Sequence, residues 1–390
     1  MMQTMSPPRK VSVHDIARAA KVSIGTVDRA LNGRNTINPQ TRDRVLRVVR
    51  KLGYKPNLAA RLLVLGRARL SIGVCIPRPP EHYFRFWEEM RDGIVEEARR
   101  FESVGVSVLF RLAPRFGVGE FERVRDLLDH GVRAIIVAPG QACGLAPLIE
   151  EAETRRIPVL CVASDAPNTA RSTVICVDPE INGRCAAELM AGFLPEKSKV
   201  AIVTGMLQVE DHLRKTKSFF EAFPRFCQGG EVVDVIENHE DEKEGYVKCV
   251  SLLRRFPSLN GIYVSMGMCH SVCQALERAG LSRKVRLITT DLYPKMVPYF
   301  ERGIISASIH QRPRTQGRTA VHLAVDHIVN GLPLPRTHYL NPQIVLRSNL
   351  CLFPEVCPIK AGTSQNPTRP RASALDSLAR RRHDYQEKCS

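Results

Sequence analysis

Apolar positions change their period along the chain. Up to about residue 53 they recur every three to four positions, as on one face of a helix: Ile16, Ala17 and Ala20, then Val27 and Leu31, then Val45, Val48, Val49 and Leu52. Ser12 stands where it can cap a helix beginning at Val13. Ser23 caps a second helix running to Leu31, with Thr26 in its first turn and Asn32-Gly33 as its stop. Asn38 followed by Pro39 announces a third helix that ends at Gly53. Two short helices joined by a tight turn make a helix-turn-helix, and the third closes its small core. Asn57 then caps LAARLLVLG, which is too short to be a stable helix alone.

From Leu70 the pattern becomes short β-rich apolar runs, among them LSIGVCI, VRAIIVA, STVICV, KVAIVT, VRLITT and IISASI, ten in all. Amphipathic stretches such as FWEEMRDGIVEEARRF, FERVRDLLDHG and SVCQALERAG separate most of them. Alternating β and α units on this scale predict an α/β fold with parallel sheets covered on both faces, arranged in two lobes behind an all-α N-terminal headpiece. After Phe353 the chain is polar and charged without apolar period, which predicts a disordered tail. The expected units are a headpiece over 1–56, a hinge over 57–69, the two-lobed domain over 70–350 and the tail over 351–390.

Charge sharpens this picture. The 390-residue chain carries a formal charge of +17, and residues 1–69 hold fifteen basic side chains against Asp15, Asp28 and Asp43. A merely soluble basic protein spreads its charge, whereas a reader of nucleic acid concentrates it where phosphates lie. The twelve cysteines include no Cys-x-x-Cys pair, and Cys75 and Cys176 sit inside apolar runs, as small buried hydrophobes do. Cys269 and Cys273 share a helix face without His or Cys at ligand spacing, so no metal or cofactor is expected. The N-terminus lacks a signal-peptide core, and no apolar run reaches the roughly 20 residues that span a bilayer. A cytoplasmic protein without membrane attachment is expected. No phosphate loop, HExxH or GxSxG motif is present, which argues against an enzyme.

The run from Val11 through Leu63 resembles the headpiece and hinge of the lactose and galactose repressor family. The resemblance rests on DIA at Asp15–Ala17, on Val22-Ser23, Thr26-Val27, Arg29 and Asn32, on KPN at Lys55–Asn57 and on AARLL at Ala59–Leu63. It implies that the second helix enters the major groove of a double-stranded operator, with Ile24, Gly25 and Arg29 at the base-reading positions. Ser23, Thr26 and Asn32 would lie alongside. An arginine can grip guanine O6 and N7 together; Ile24 can only touch a thymine methyl, and Gly25 reads nothing. Asp28 replaces a usual serine, in a place where a carboxylate would repel phosphate. The hinge positions Asn57, Ala60 and Leu63 would contact the minor groove, Leu63 as a wedge between bases. The resemblance also implies a homodimer, with a tetramer open, acting as a transcriptional repressor.

Residues 70–350 resemble the periplasmic sugar-binding-protein-like domain of the same family. The signatures are DPEINGRCAAELM from Asp178, ITTDLYP with Asp291 and SIHQRP with Gln311. By position the cleft candidates are Asp178, Lys215, Asp291 and Gln311, with Tyr83, Phe84 and Phe86 as stacking surfaces. A carboxylate accepts from two neighbouring hydroxyls and an aromatic face covers a sugar ring, so a sugar or polyol effector is implied. Two simpler roles stay open: Asp178 as a helix cap and Asp291 as a turn residue. Lys215 stands where relatives carry arginine, and VSMGMC lacks their asparagine. Met266 and Met268 there leave room for a less polar effector or none. The rival readings are a solute-binding protein sharing the large domain and a regulator without an effector.

Overall fold

A computed structural model of the chain describes residues 12–31, 37–52, 70–79, 85–353 and 356. The candidates Asn32, Asn57, Ala60, Leu63, Tyr83 and Phe84, the whole expected hinge and most of the expected tail lie outside the described residues.

The headpiece contains α1 (Val13–Ala20), α2 (Ile24–Leu31) and α3 (Pro39–Leu52). Ser12 and Asp15 form a reciprocal capping box, the Ser12 amide donating to the Asp15 carboxylate at 2.8 Å and the Asp15 amide to Ser12 Oγ at 3.3 Å. Lys21 ends α1 in the left-handed region. Ser23 Oγ accepts from the Thr26 amide at 3.1 Å and Asn38 Oδ1 from the Gln40 amide at 2.9 Å, so the caps predicted for α1, α2 and α3 form. Ile16, Ala17, Ala20, Val27, Ala30 and Val45 make the core, with Val48 and Val49 packed against it. Leu52, expected inward, is exposed: the stripe drifts off the core at the last turn of α3.

The first lobe holds β1 (Leu70–Cys75), β2 (Val106–Phe110), β3 (Ala134–Val137), β4 (Val159–Val162) and β5 (Thr173–Val177), joined by α4 (Phe86–Arg100), α5 (Glu120–Asp129) and α6 (Ala142–Thr154). The second holds β6 (Lys199–Thr204), β7 (Glu231–Glu237), β8 (Gly261–Val264), β9 (Arg286–Thr290) and β10 (Ile305–His310). Its helices are α7 (Pro179–Phe193), α8 (Glu210–Phe226), α9 (Glu242–Arg255), α10 (His270–Arg278) and the short α11 (Val297–Glu301). The chain then returns through α12 (Pro313–Asn330), which packs Ala320, Val321 and Ala324 into the first lobe's core beside Met90 and Ile94 of α4.

All ten predicted strands form. Two more were not foreseen: β11 (Thr337–Leu340), which joins β5 in parallel, and β12 (Gln343–Val345), which joins β10 antiparallel and breaks the all-parallel expectation. The sheets have the orders β11-β5-β4-β3-β1-β2 and β12-β10-β9-β8-β6-β7. Each reverses direction next to its first strand, and a ligand belongs beyond the carboxyl ends of the strands at such a switch point. The expected boundary at 350 also moves, because Leu350, Phe353 and Val356 are buried together in the second lobe's core.

Candidate functional site

On the headpiece, burial of Val27 and Ala30 turns the opposite face of α2 to solvent. Ser23, Ile24, Gly25 and Arg29 are exposed on it, Ile24 at 45%. An exposed isoleucine in so small a domain leaves an apolar contact unused by the fold. Arg29 Nη2 donates to Thr26 Oγ1 at 3.3 Å, and Thr26 Oγ1 lies 2.9 Å from Ser23 Oγ. This chain holds the guanidinium along the helix face. A side chain at position 25 would meet only the Arg29 guanidinium and Ser23 Oγ, both at 3.9 Å, so glycine leaves the arginine uncovered. The helix N-terminus beside Ser23 also presents amide donors suited to a phosphate.

Between the lobes lie two chambers that share Trp87, Phe116 and Glu240 in their walls. The outer one is a cavity of about 500 Å³ walled by Trp87 and Phe116 from the first lobe and by Met206, Glu240 and Met268 from the second. Trp87, the one tryptophan, and Phe116 have ring centroids 5.4 Å apart, and Phe116 meets the His212 ring edge-on at 6.1 Å. Phe116 sits in a loop held by the buried Glu120, whose carboxylate accepts from the amides of Gly117 at 2.7 Å and Gly140 at 3.0 Å. A Cβ on Gly140 would lie 2.3 Å from the Gly117 nitrogen, so only glycine permits this closure.

The inner chamber is only about 30 Å³, room for roughly one water. There the structure brings together Lys215, Asp291 and Gln311, and adds Asp211. Lys215 Nζ donates to Asp211 Oδ2 at 2.6 Å and to Gln311 Oε1 at 2.5 Å, while Gln311 Nε2 donates to the Asp291 carboxylate at 2.9 and 3.1 Å. Gln316 fixes the glutamine from behind, donating to its carbonyl at 2.8 Å and accepting from the Ala163 amide at 3.0 Å. The Asp211 amide reaches Ser164 Oγ of the first lobe at 3.4 Å. Asp211 Oδ1 is buried without a hydrogen-bond partner, an acceptor left open beside the chamber.

Burial dominates the electrostatics. It raises the Asp211 carboxyl despite Lys215, and it pushes Asp291 up to about 6 against the opposing pull of Lys215 and Gln311. Glu240 is pushed up to about 7, by burial first and then by Asp291. His212 is held down to about 3 by burial and by Lys215, so its ring is neutral near pH 7. Its Nδ1 accepts from the Met206 amide at 3.2 Å, which places the proton on Nε2, 3.9 Å from Glu240 Oε1. Six of the nine described non-glycine residues with positive φ (Ala163, His239, Glu240, Met268, Asp291 and Arg312) follow strands at this cleft. Such clustering of strain is what a preorganised site displays.

Two other candidates stand apart. Asp178 uses its Oδ1 to cap α7, accepting from the amides of Glu180 at 2.9 Å and Ile181 at 3.3 Å, and lines neither chamber. Phe86 lines the inner chamber yet is buried against Trp87 at 4.8 Å, edge to face, so it backs the tryptophan. Sequence reasoning missed Asp211, Trp87, Phe116 and Glu240. Only Asp211 had a local signal, standing four residues before Lys215 on one helix face. Among the described residues no group of three or more His, Cys, Asp or Glu is arranged to hold a metal ion, and no helix is long and apolar enough to cross a membrane.

Residues 12–57 match the family model described as bacterial regulatory proteins, lacI family, and residues 75–332 that described as periplasmic binding protein domain. Catabolite control protein A of Priestia megaterium is 28% identical over 214 residues, covering 54% of this chain and 60% of that protein. The matched segment thus falls short of two thirds of that relative's length. The HTH-type transcriptional regulator pepR1 of Lactobacillus delbrueckii subsp. lactis is 27% identical over 277 residues, covering 69% and 77%. A solute-binding protein from Burkholderia graminis, solved with D-arabinose, superimposes with a TM-score of 0.66 at 23% identity over 72% of this chain and 96% of that one, which shows a shared fold. Through residues 75–332 the chain belongs to the periplasmic binding protein domain family, and through its headpiece to the lacI family of bacterial regulatory proteins.

Proposed function

We propose that the chain is a transcriptional regulator that binds a pseudo-palindromic DNA operator as a homodimer and is controlled by a small carbohydrate-like ligand held between its lobes. The observation that carries this reading is the exposed Ser23–Arg29 face of α2, built on a strongly basic segment and joined in one chain to a closed cleft. Arg29 reads a guanine, Ser23 and the α2 N-terminus take phosphate, and Ile24 meets a thymine methyl. Asn32 adds a further contact to the DNA, and Asn57, Ala60 and Leu63 serve the minor groove.

In the cleft, Asp211 Oδ1 accepts a ligand hydroxyl, Lys215, Asp291 and Gln311 orient it, and Trp87 and Phe116 cover its apolar side, with Tyr83 and Phe84 as further stacking surfaces. The ligand acts by its differential affinity for lobe arrangements that set the spacing of the two headpieces. The relatives' names as regulators and sugar-binding proteins support a binding rather than a catalytic role, and a cytoplasmic address is the one in keeping with a DNA-bound role.

The test is selection from a random duplex library by the full-length protein, followed by measurement of retention against salt. A two-fold symmetric consensus and a steep fall of affinity with salt are expected. Failure to retain any duplex at low salt would overturn the reading.

A further inference from the structure

The outer chamber carries two cationic groups that the network beneath it does not use. Pro77 and Ala113 form an isolated parallel bridge that prolongs the β1–β2 pairing, and the Arg78 amide donates to the Ala113 carbonyl at 2.8 Å. Arg78 and Arg115 therefore ride on adjoining, paired segments at one wall of the cavity, and both line it. Arg115 opens a tight turn closed by its own bridge to Val118, within the loop that Glu120 pins.

Among the described residues, no ion pair or side-chain hydrogen bond engages either guanidinium. Contrast Arg171, whose fork is filled by Asp165 at 2.5 and 2.7 Å. Two unpaired cations lining one cavity favour an anion there, and a carboxylate or phosphate matches the planar fork of a guanidinium. Among the described residues, the one acid lining the same chamber is Glu240, on the opposite lobe.

Resting on the effector reading above, we infer that the ligand is a hydroxylated organic anion, a sugar acid or a sugar phosphate. Its anionic end is gripped by Arg78 and Arg115 at the mouth, its body lies on Trp87 and Phe116, and a hydroxyl donates to Asp211 Oδ1 at the inner end. A neutral sugar would satisfy only the inner half of this arrangement.

The test uses calorimetric titration of the full-length protein with D-glucose, D-gluconate, D-glucuronate, D-glucose 6-phosphate and inorganic phosphate, repeated with the Arg78→Gln/Arg115→Gln double variant. At least one anionic sugar should bind about tenfold or more tighter than glucose, and the variant should lose that preference while keeping its melting temperature and its affinity for glucose. The acid and phosphate arms separate the two sources of the charge. Equal affinity for glucose and its anionic derivatives, an unchanged preference in the variant, or inorganic phosphate matching the sugars would each overturn the inference and leave the effector reading standing. No binding by any compound, in a protein that still retains DNA, would remove both the inference and the effector reading.

Discussion

A Cβ placed on Gly183 would lie 2.4 Å from the backbone carbonyl oxygen of Lys215. Helices α7 and α8 thus cross at a point where only a hydrogen fits, and that crossing sets the depth at which the Lys215 ammonium enters the cleft.

Gly183→Ala should push the α8 backbone away from α7. Because the obstacle is backbone, which cannot rotate aside, a loss of about 1–3 kcal/mol is expected in urea unfolding. The informative readout is ligand affinity at a temperature where the variant is folded. It should fall although no side chain of the cleft has changed, and unaltered affinity would show that the crossing does not position Lys215.

Lys215→Met should be the most damaging single change in the second lobe. It leaves Asp211 buried beside Asp291 with no cation, a loss of roughly 3–5 kcal/mol when one partner of a buried pair is removed. The double variant Asp211→Leu/Lys215→Met should recover much of the loss. A double variant as unstable as the sum of the singles would refute direct coupling between the two side chains.

Glu240 gives stability a pH dependence of definite sign. Its carboxyl is raised from 4.5 to about 7, so over that interval the folded chain holds a proton that the unfolded chain has released. The associated stability is complete below about 4.5 and disappears as pH climbs through 7. Asp291 acts in the same direction between 3.8 and about 6. Glu240→Gln should therefore gain on the parent protein between pH 5 and pH 8, by on the order of 1–3 kcal/mol. Parallel melting curves for the two proteins across that range would contradict it.

Arg29→Ala should remove about 1–3 kcal/mol of preference for the selected operator over scrambled duplex. Binding to scrambled duplex should weaken far less, since the remaining basic side chains still meet phosphate. Competition anisotropy against both duplexes measures the ratio, and a ratio equal to that of the unmodified protein would dismiss Arg29 as a base reader.

What could be read in advance follows from how the chain is buried. Strands β1, β3, β4, β5 and β8 are covered on both faces almost throughout, so their sequences are mainly apolar runs and announce themselves. β11 reads Thr-His-Tyr-Leu and β12 Gln-Ile-Val; both are short, largely exposed edge strands, fixed by the neighbour they join rather than by their own pattern. Asp291 and Gln311 were legible because motifs surround them, and Lys215 because it stands where relatives carry arginine. Trp87 looked like one more apolar position on α4, and Phe116 lies in RLAPRFGVG, a loop without period that Glu120 organises from the next helix. Neither can be found until distant segments are brought together. Asp178 shows the converse, since a recognisable motif put a carboxylate beside the cleft whose visible work is to start α7.

The connections between lobes carry a consequence for biosynthesis. Helix α12 and strand β11 complete the first lobe, yet they follow nearly the whole second lobe in the chain. During translation the headpiece, whose contacts are local, can fold as soon as it emerges, while the lobe next to it must wait with β5 uncovered until residue 340 has been made. A chain truncated before that point would leave β5 without its parallel neighbour and both sheets unfinished.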